Sequence, residues 1–282
     1  MAADENEHPK KEVDQRLAQI EEQLSKIRKI ITPEVTATSI INQTVAASSG
    51  STLFFQDGNA GVFENNSVES TKPSGDVSPI KIATPYNNDS VGIDQENDFV
   101  FFYLANNSLS RIGINSAEGE AEQTRDIIHY GERMYVLSGN QIYRHQRVEG
   151  GEYGPGVAWV QDDTDITLAT SIAIDGTVWI AGNNSLRHFD GGQEIGAVTA
   201  SIDPPLGLVK DIWTDTDVPI ILMLDTEQSR VVIYNKETGD MVGQVLNSAF
   251  GTAFAIYADS QSKVVTVISP STVYTFSISE VL

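Results

Sequence analysis

The sequence lacks cysteine altogether and contains no long hydrophobic run. The absence of cysteine excludes disulfides, thiolate metal ligands and cysteine nucleophiles. A helix that spans a bilayer needs about 20 predominantly apolar residues, so we predict that this chain makes no membrane contact of its own. Its first residues are polar and acidic, unlike a signal peptide. We therefore expect a soluble cytoplasmic protein, or the extracytoplasmic part of a membrane-anchored one.

Basic residues are also scarce. The chain has 18 Lys and Arg against 39 Asp and Glu, which gives a formal net charge of −21. A surface this negative repels phosphate backbones and anionic lipid headgroups, so we predict no nucleic-acid partner. Hydrophobic residues make up 40% of the 282 residues, which is enough for a sizeable core. A length of this order is normal for a single all-β domain.

The first 33 residues predict a polar tail and a helix bounded by Pro9 and Pro33. Apolar residues alternate in steps of four and three along one face, which is the heptad pattern of a coiled coil. This seam consists of Val13, Leu17, Ile20, Leu24, Ile27 and Ile31, with Val13, Ile20 and Ile27 at heptad position d. We predict that the helix mediates self-association or acts as a spacer. The alternative is a helix that packs on the flank of the following domain.

From Val35 onwards the helical pattern gives way to a repeated unit of short strands and Asp-, Gly- and Asn-rich turns. In one unit Ser171–Asp175 precedes an apolar strand at Thr177–Ile180, and in another Phe254–Asp259 precedes Lys263–Ile268. The apolar strands centre near Phe54, Phe101, Tyr135, Trp179, Ile221 and Val265, at intervals close to the length of one four-stranded blade. Residues 34–282 are thus predicted to form a β-propeller of about six blades. Seven blades or a sandwich are the alternatives.

The last unit contains only three clear strands before the chain ends. A fourth strand can come from Glu34–Ile41, directly after the predicted helix. We therefore predict that the two ends of the chain pair with each other and close the ring.

Several segments of the repeat resemble a known family. They are Ile142–Arg147, Gly154–Gly156, Ala173–Trp179 and Arg230–Gly239. These segments are similar to the C-terminal six-bladed, NHL-like propeller of phosphatase-like (PPM/PP2C-type) membrane proteins of small-genome bacteria. The resemblance implies an extracytoplasmic sensing or docking module. No catalytic residue of that family corresponds to a position in this sequence.

The familiar catalytic motifs are absent. The sequence has no Walker A loop, no Gly-x-Ser-x-Gly elbow, no His-Glu-x-x-His and no dinucleotide fingerprint. Of the histidines, His8 lies in the polar tail and His129 on a strand. His145 and His188 each follow an arginine and share one repeat position, which favours a structural role. The sequence therefore predicts no catalytic residue, no metal ligand and a protein that is not an enzyme.

We expect no cofactor, although two acidic runs could bind calcium. They are Asp162-Asp163-Thr164-Asp165 and Asp215-Thr216-Asp217, which lack the Gly and the distal Glu of an EF-hand loop. Turn residues of this type are expected between strands in any case, because their side chains cap the backbone.

Five residues are the candidate contacts for a ligand. Asp94, Asp175 and Asp259 share one repeat position and could form a ring on one face, while Trp159 and Trp213 are aromatic candidates. We predict a non-enzymatic binding or scaffold propeller whose partner is a protein or a small surface ligand. The alternatives are a metal-dependent propeller hydrolase or lyase of the lactonase type, and a structural building block of the cell surface.

Overall fold

The computed structural model describes residues 7–198 and 202–279, and it is a six-bladed β-propeller preceded by one helix. The predicted fold class is therefore confirmed. The helix α1 is Glu7–Ile27, and short 3-10 helices occur at Leu104–Asn106 and Ser248–Thr252. No helix in these residues is long and apolar enough to cross a membrane.

The strands within the described residues are numbered in chain order. They are β1 Ile30–Ile31, β2 Thr36–Ser39, β3 Val45–Ser49, β4 Thr52–Phe55, β5 Ala60–Glu64, β6 Ser67–Thr71, β7 Ile80–Tyr86, β8 Asp89–Asp94, β9 Phe99–Tyr103, β10 Ser108–Arg111, β11 Thr124–Tyr130, β12 Arg133–Ser138, β13 Gln141–Gln146, β14 Val157–Ala158, β15 Ala169–Ile174, β16 Val178–Gly182, β17 Ser185–Asp190, β18 Gln193–Ala197, β19 Val209–Thr214, β20 Ile220–Asp225, β21 Arg230–Asn235, β22 Met241–Leu246, β23 Ala255–Asp259, β24 Val264–Ile268 and β25 Thr272–Ser277.

Each blade is an antiparallel sheet whose strands follow one another along the chain. Blades 1 to 4 are β3–β6, β7–β10, β11–β14 and β15–β18, blade 5 contains β19–β22, and blade 6 contains β23–β25. The first strands of successive blades contact one another, from β3 with β7 to β19 with β23. These first strands therefore form the inner wall around a central channel.

The ring closes through the N-terminal segment, as the sequence predicted. Strand β2 pairs antiparallel with β25, with Thr36 opposite Thr275 and Ser39 opposite Thr272. It is the outer strand of blade 6. Closure by the two ends of the chain removes the unpaired edge that an open array would leave at its last blade.

The segment after the helix corrects the predicted role of Ile31. The helix ends at Ile27 rather than near Pro33, and Lys29 has a left-handed backbone, with φ of 50°. Ile30 and Ile31 instead form β1, which pairs parallel with β22 as a fifth strand of blade 5. A Cβ atom on Gly243 would lie 2.6 Å from the Cδ1 of Ile31, so a glycine is needed for this approach. Ile31 is therefore a sheet residue and does not belong to the helical seam.

The rest of the seam is exposed. The side chains of Val13, Leu17, Ile20, Leu24 and Ile27 are 40–71% exposed. The helix does not pack on the flank of the propeller, so the alternative considered from the sequence is not what this structure shows. Directly after the helix, the Nε of Arg28 lies 2.7 Å from Asp203 Oδ2, in the segment between β18 and β19.

Blade 2 is shifted by one strand relative to the sequence-based assignment. Phe101 lies in β9, the third strand of its blade, and Val91 in β8 occupies the second strand. Both strands are almost entirely buried. Each strand is therefore a continuous apolar run in the sequence. The hydrophobic pattern alone does not indicate which of the two is the second strand of the blade.

The two histidines that follow arginines are not equivalent. Strands β13 and β17 have the same burial pattern, in which His145 corresponds to Phe189 and His188 to Arg144. A shift of one residue turns a strand side chain to the opposite face. Accordingly His145 is fully buried, whereas His188 is half-buried and stacks on Trp179 with ring centroids 3.7 Å apart.

The other two histidines are placed as follows. His8 lies within α1, and its side chain is outside the described part of the chain. His129 lies in β11, where its ring is 4.3 Å from that of Tyr86, and desolvation lowers its pKa to about 4.

Candidate functional site

The central channel is a cavity of about 430 Å³ lined by the first strands of all six blades. Five of these strands carry a β-bulge near their start, and two consecutive residues there line the channel. The pairs of equivalent residues are Ala46 and Ala47, Lys81 and Ile82, Arg125 and Asp126, Thr170 and Ser171, Lys210 and Asp211, and Phe254 and Ala255. In blades 3, 4 and 5 the second members of these pairs are polar: Asp126, Ser171 and Asp211.

Asp126 and Asp211 make the same contacts in blades 3 and 5. Asp126 accepts the backbone N–H of Ile127 through Oδ1 and that of Ile172 in the next blade through Oδ2, each at 2.8 Å. Asp211 accepts Ile212 N–H at 2.9 Å and Ile256 N–H of blade 6 at 2.8 Å. Each carboxyl group therefore bridges two adjacent blades at the channel wall.

Ser171 of blade 4 stands between the two acids. Its hydroxyl donates to Asp211 Oδ1 at 2.8 Å, and its presence beside Asp126 lowers the pKa of that carboxyl against desolvation. A hydroxyl group is at once a donor and an acceptor. Asp126, Ser171 and Asp211, called the channel triad below, thus place one hydroxyl group between two carboxyl groups of neighbouring blades.

The environment of the channel triad favours protonated acids. Desolvation, followed by repulsion from Asp211, raises the pKa of Asp126 to about 7. Desolvation likewise raises the pKa of Asp211 to about 6, against hydrogen bonds from Ile256 and Ser171 that lower it. Two interacting carboxyl groups with raised and separated pKa values can hold one proton and one charge near neutral pH.

A second cavity, of about 510 Å³, lies between blades 5 and 6 beside the chain that leads out of the helix. Its wall includes Ile31, Pro33, Val245 and Phe276, and Glu34 is the one titratable side chain among the described residues that line it. These lining residues offer no pair of acid and base. The channel is therefore the better candidate for a site with chemistry.

The predicted acidic ring is wrong. Asp175 and Asp259 lie at the ends of the first strands of blades 4 and 6, but Asp94 ends β8, the second strand of blade 2. First and second strands run in opposite directions, so Asp94 lies on the opposite face of the propeller. The misplacement follows from the one-strand shift in blade 2.

Each of the three acids has a local partner instead. The buried Asp94 accepts the backbone N–H of Glu96 and of Asp98, each at 2.9 Å. Asp175 lies 2.6 Å from the Nζ of Lys236 in blade 5, and hydrogen bonds from Lys236 and Thr177 lower its pKa against desolvation. Asp259 is exposed and caps the turn that follows it. They organise turns and one contact between blades.

The two tryptophans have different positions. Trp159 is buried between blades 3 and 4, where its ring lies 6.2 Å from that of Tyr135 and 6.4 Å from that of Phe189. This tryptophan belongs to the core and is not an exposed contact. Trp213 lines the channel, two residues beyond Asp211. Of the five predicted contact residues, it alone is on the channel wall.

The acidic runs act as turn caps. Asp162 accepts the backbone N–H of Thr164 and Glu194, and Asp215 accepts that of Asp217. In residues 7–198 and 202–279 no group of three or more His, Cys, Asp or Glu converges in a way that could hold a metal ion. Among the described residues that line the channel, Asp126 and Asp211 are the only acids, and none is a histidine. The residues present do not fit a divalent cation in the channel.

Sequence analysis missed the channel triad. The sequence does contain a signal for it, because Arg125-Asp126-Ile127 and Lys210-Asp211-Ile212 place a cation, an acid and an isoleucine at one repeat position. The partners Ile172 and Ile256 lie 46 and 45 residues further along the chain. Only the ring geometry brings these groups together.

Comparison with known proteins gives structural neighbours and no sequence family. No protein-family model and no curated protein sequence matches this chain. The fold is similar to a gluconolactonase from Xanthomonas campestris, with 11% identity, a TM-score of 0.59 and coverage of 89% of this chain and 87% of that one. A protein provisionally assigned as a gluconolactonase has 11% identity and a TM-score of 0.60, and the match covers 90% of this chain and 95% of that one. The fold is also similar to the computationally designed protein Ika8, with 10% identity, a TM-score of 0.57 and coverage of 84% of each chain.

These likenesses correct one expectation. The sequence suggested that the protein is not an enzyme, yet two of its structural neighbours bear the name of an enzyme. The propeller fold therefore gives no reason to exclude catalysis. At 10–11% identity the likeness shows the fold alone, so the chemistry has to be argued from the channel. The resemblance to phosphatase-like membrane proteins stays a prediction.

Proposed function

We propose that this protein is a hydrolase that opens a small cyclic ester, a lactone, in its central channel without a metal ion. The observation that carries the proposal is the channel triad, in which two desolvated acids flank one serine hydroxyl. General acid–base catalysis needs one protonated and one ionised group whose pKa values lie near the working pH. The raised pKa values of Asp126 and Asp211 meet that condition.

The two acids have different roles in the proposed reaction. The Asp211 carboxylate removes a proton from a water molecule as the water oxygen bonds to the lactone carbonyl carbon. The bond between that carbon and the ring oxygen then breaks, and the ring oxygen takes the proton of Asp126. The product is a hydroxy acid. Asp211 is assigned as the base because the Ser171 hydroxyl donates to its Oδ1 at 2.8 Å, which favours the ionised form, and Asp126 is then the acid.

Ser171 restores the starting state. After one turnover Asp211 holds the proton and Asp126 carries the charge. In this proposal the Ser171 hydroxyl, which donates to Asp211 Oδ1 in the structure, accepts the proton from Asp211 and passes its own to Asp126 in the neighbouring blade. The net reaction consumes one water molecule and one lactone, and no cofactor takes part.

The names of two structural neighbours support the choice of substrate class. A lactonase opens lactones by hydrolysis, and both neighbours share the propeller fold with this chain. The choice of the channel as the site, and of these acids, comes from the geometry of this chain alone.

The pH dependence of turnover tests the proposal. We expect kcat/KM for δ- and γ-lactones to follow a bell-shaped curve with its maximum between about pH 6 and 7. Below this window both acids are protonated, so the base is lost, and above it both are ionised, so the acid is lost. Pre-treatment with a chelator should leave the rate unchanged. Absence of turnover across a lactone panel, or loss of activity with the chelator, would contradict the proposal.

A further inference from the structure

The channel mouth at the start of the first strands is lined by unneutralised cations. Of the six equivalent first positions, three are basic: Lys81, Arg125 and Lys210. They come from three different blades of a chain whose formal net charge is −21. Such a concentration of positive charge at one opening runs against the charge of the rest of the molecule.

None of the three cations forms an ion pair with a carboxylate in residues 7–198 and 202–279, and the one electrostatic partner is Asp211, whose pKa the charge of Lys210 lowers against desolvation. Arg125 donates to the backbone carbonyls of Thr167, Gly139 and Ile166, and desolvation lowers its pKa. All three acceptors are neutral, so its charge remains uncompensated.

The two lysines are also available. Lys81 donates to the side-chain amide oxygen of Asn97, which is neutral. Lys210 is exposed and adjoins Asp211 in the sequence. Asp211 holds at most one negative charge, and Asp126 is uncharged in the working state proposed above. The mouth therefore keeps a net positive charge, and a narrow channel with low-dielectric walls concentrates that field.

We infer that this mouth binds the carboxylate of a small organic acid, so that the preferred substrates are lactones that themselves carry a carboxylate. The inference rests on the proposed function for the reaction, but the binding of the anion does not depend on turnover. The cations lie at the starts of the strands, and the residues of the channel triad follow one position later. A substrate whose carboxylate binds the cations therefore has its ester group close to the triad.

Calorimetric titration with gluconate, glucarate and glucose tests this inference. We expect the dianion glucarate to bind more tightly than gluconate, neutral glucose to bind least, and added salt to weaken both anions. Lys210→Met should weaken the binding of gluconate by about five-fold, because an exposed ion pair changes a dissociation constant by up to about that factor. Lys263→Met, on the turn between β23 and β24, is the matched control and should bind as the wild type does.

The outcomes separate this inference from the proposed function. Lysine-dependent binding of gluconate in a protein that opens no lactone would support the anion site and reject the hydrolase. Turnover of neutral lactones together with equal binding of gluconate and glucose would reject the anion site and keep the hydrolase. An unchanged affinity in both Lys210→Met and Lys81→Met would also overturn the inference.

A second inference comes independently from α1. Its seam Val13, Leu17, Ile20, Leu24 and Ile27 is exposed along the length of the helix. With leucine at heptad position a and isoleucine at d, a parallel coiled coil prefers three or four strands to two. We infer that the partner of this seam is α1 of further copies of the same chain, in a parallel bundle of three or four.

The charges beside the seam support the parallel arrangement. Arg16 at position g faces Glu21 at position e of a parallel neighbour, which is an attractive pair. An antiparallel neighbour would bring e positions together, and these are the acidic Asp14 and Glu21. Like charges therefore disfavour that orientation.

Light scattering of the full chain at high micromolar concentration tests the assembly. We expect three or four times the chain mass of 30.7 kDa. Leu17→Gln with Leu24→Gln should give a monomer with an unchanged propeller, whereas Gln15→Lys, on the outer face of the helix, should assemble as the wild type does. A monomeric or dimeric wild type would overturn this inference.

Discussion

Replacing Arg230 with alanine lowers the free energy of unfolding by about 3–5 kcal/mol, as expected when one partner of a buried ion pair is removed. Arg230 is 1% exposed, and its Nε lies 2.9 Å from Asp225 Oδ2. The guanidinium also donates to Gln244 Oε1 at 2.8 Å and to the backbone carbonyls of Pro204 and Pro205 at 2.7 and 2.9 Å. Removing it leaves the buried Asp225 carboxylate without its cation, and the carbonyls of Pro204 and Pro205 without this donor.

The same cluster connects the helix to the propeller, which adds to the expected loss. The amide nitrogen of Gln244 donates to the backbone carbonyls of Arg28 and Asp203. Gln244 is therefore oriented on one side by Arg230 and on the other by the chain that leaves α1. Without the guanidinium its carbonyl oxygen has no partner in this cluster.

Arg187→Ala is the matched control for Arg230→Ala. Arg187 also forms an ion pair, at 2.5 Å from Glu194, but the two side chains are 23% and 26% exposed. Water can replace much of the lost contact, so the expected cost is at most about 1 kcal/mol. Urea unfolding followed by circular dichroism measures both variants. Equal losses in the two, or a loss below about 1 kcal/mol for Arg230→Ala, would contradict this account of the cluster.

The sequence predicts the architecture well because blades are built from local patterns. The closing strand could be found because residues 34–41 alternate and the last unit lacks a strand. The one-strand error in blade 2 arises because β8 and β9 are both buried on two faces. Ile31 was misassigned because the heptad spacing continues past Lys29, where the backbone in fact turns out of the helix.

The site is harder to predict because its members come from different blades. Asp126 and Asp211 show in the sequence only as acids that follow a cation and precede an isoleucine at one repeat position. Their raised pKa values come from desolvation at the hub, and their shared partner Ser171 is 40 residues from Asp211. By contrast, Asp94, Asp175 and Asp259 looked alike in the sequence because turn caps recur for the same backbone reason. Repetition indicated structure in that case, whereas the chemistry depends on contacts between repeats.

Asp126→Asn and Asp211→Asn should each reduce kcat for lactone opening by a factor of about 10² to 10⁴, the usual contribution of a positioned acid or base. An asparagine at 211 cannot take a proton from water, and one at 126 cannot supply a proton to the ring oxygen. Both variants lose one acceptor for a backbone N–H, with an expected cost in stability of about 1–3 kcal/mol. Rates should therefore be measured where unfolding curves show each variant to be folded.

Asp259→Asn is the control for the loss of a backbone acceptor. Asp259 also accepts backbone N–H groups, from Gln261 and Ser262, but it lies in an exposed turn of blade 6. Its replacement should leave kcat unchanged.

The pH profile adds a readout that a structural role would not affect. Asp126→Asn should remove the falling limb at high pH, because that limb reports ionisation of Asp126, and Asp211→Asn should remove the rising limb. If all three variants turn over lactones at the wild-type rate with the wild-type pH profile, the carboxyl groups of the channel have only a structural role between the blades.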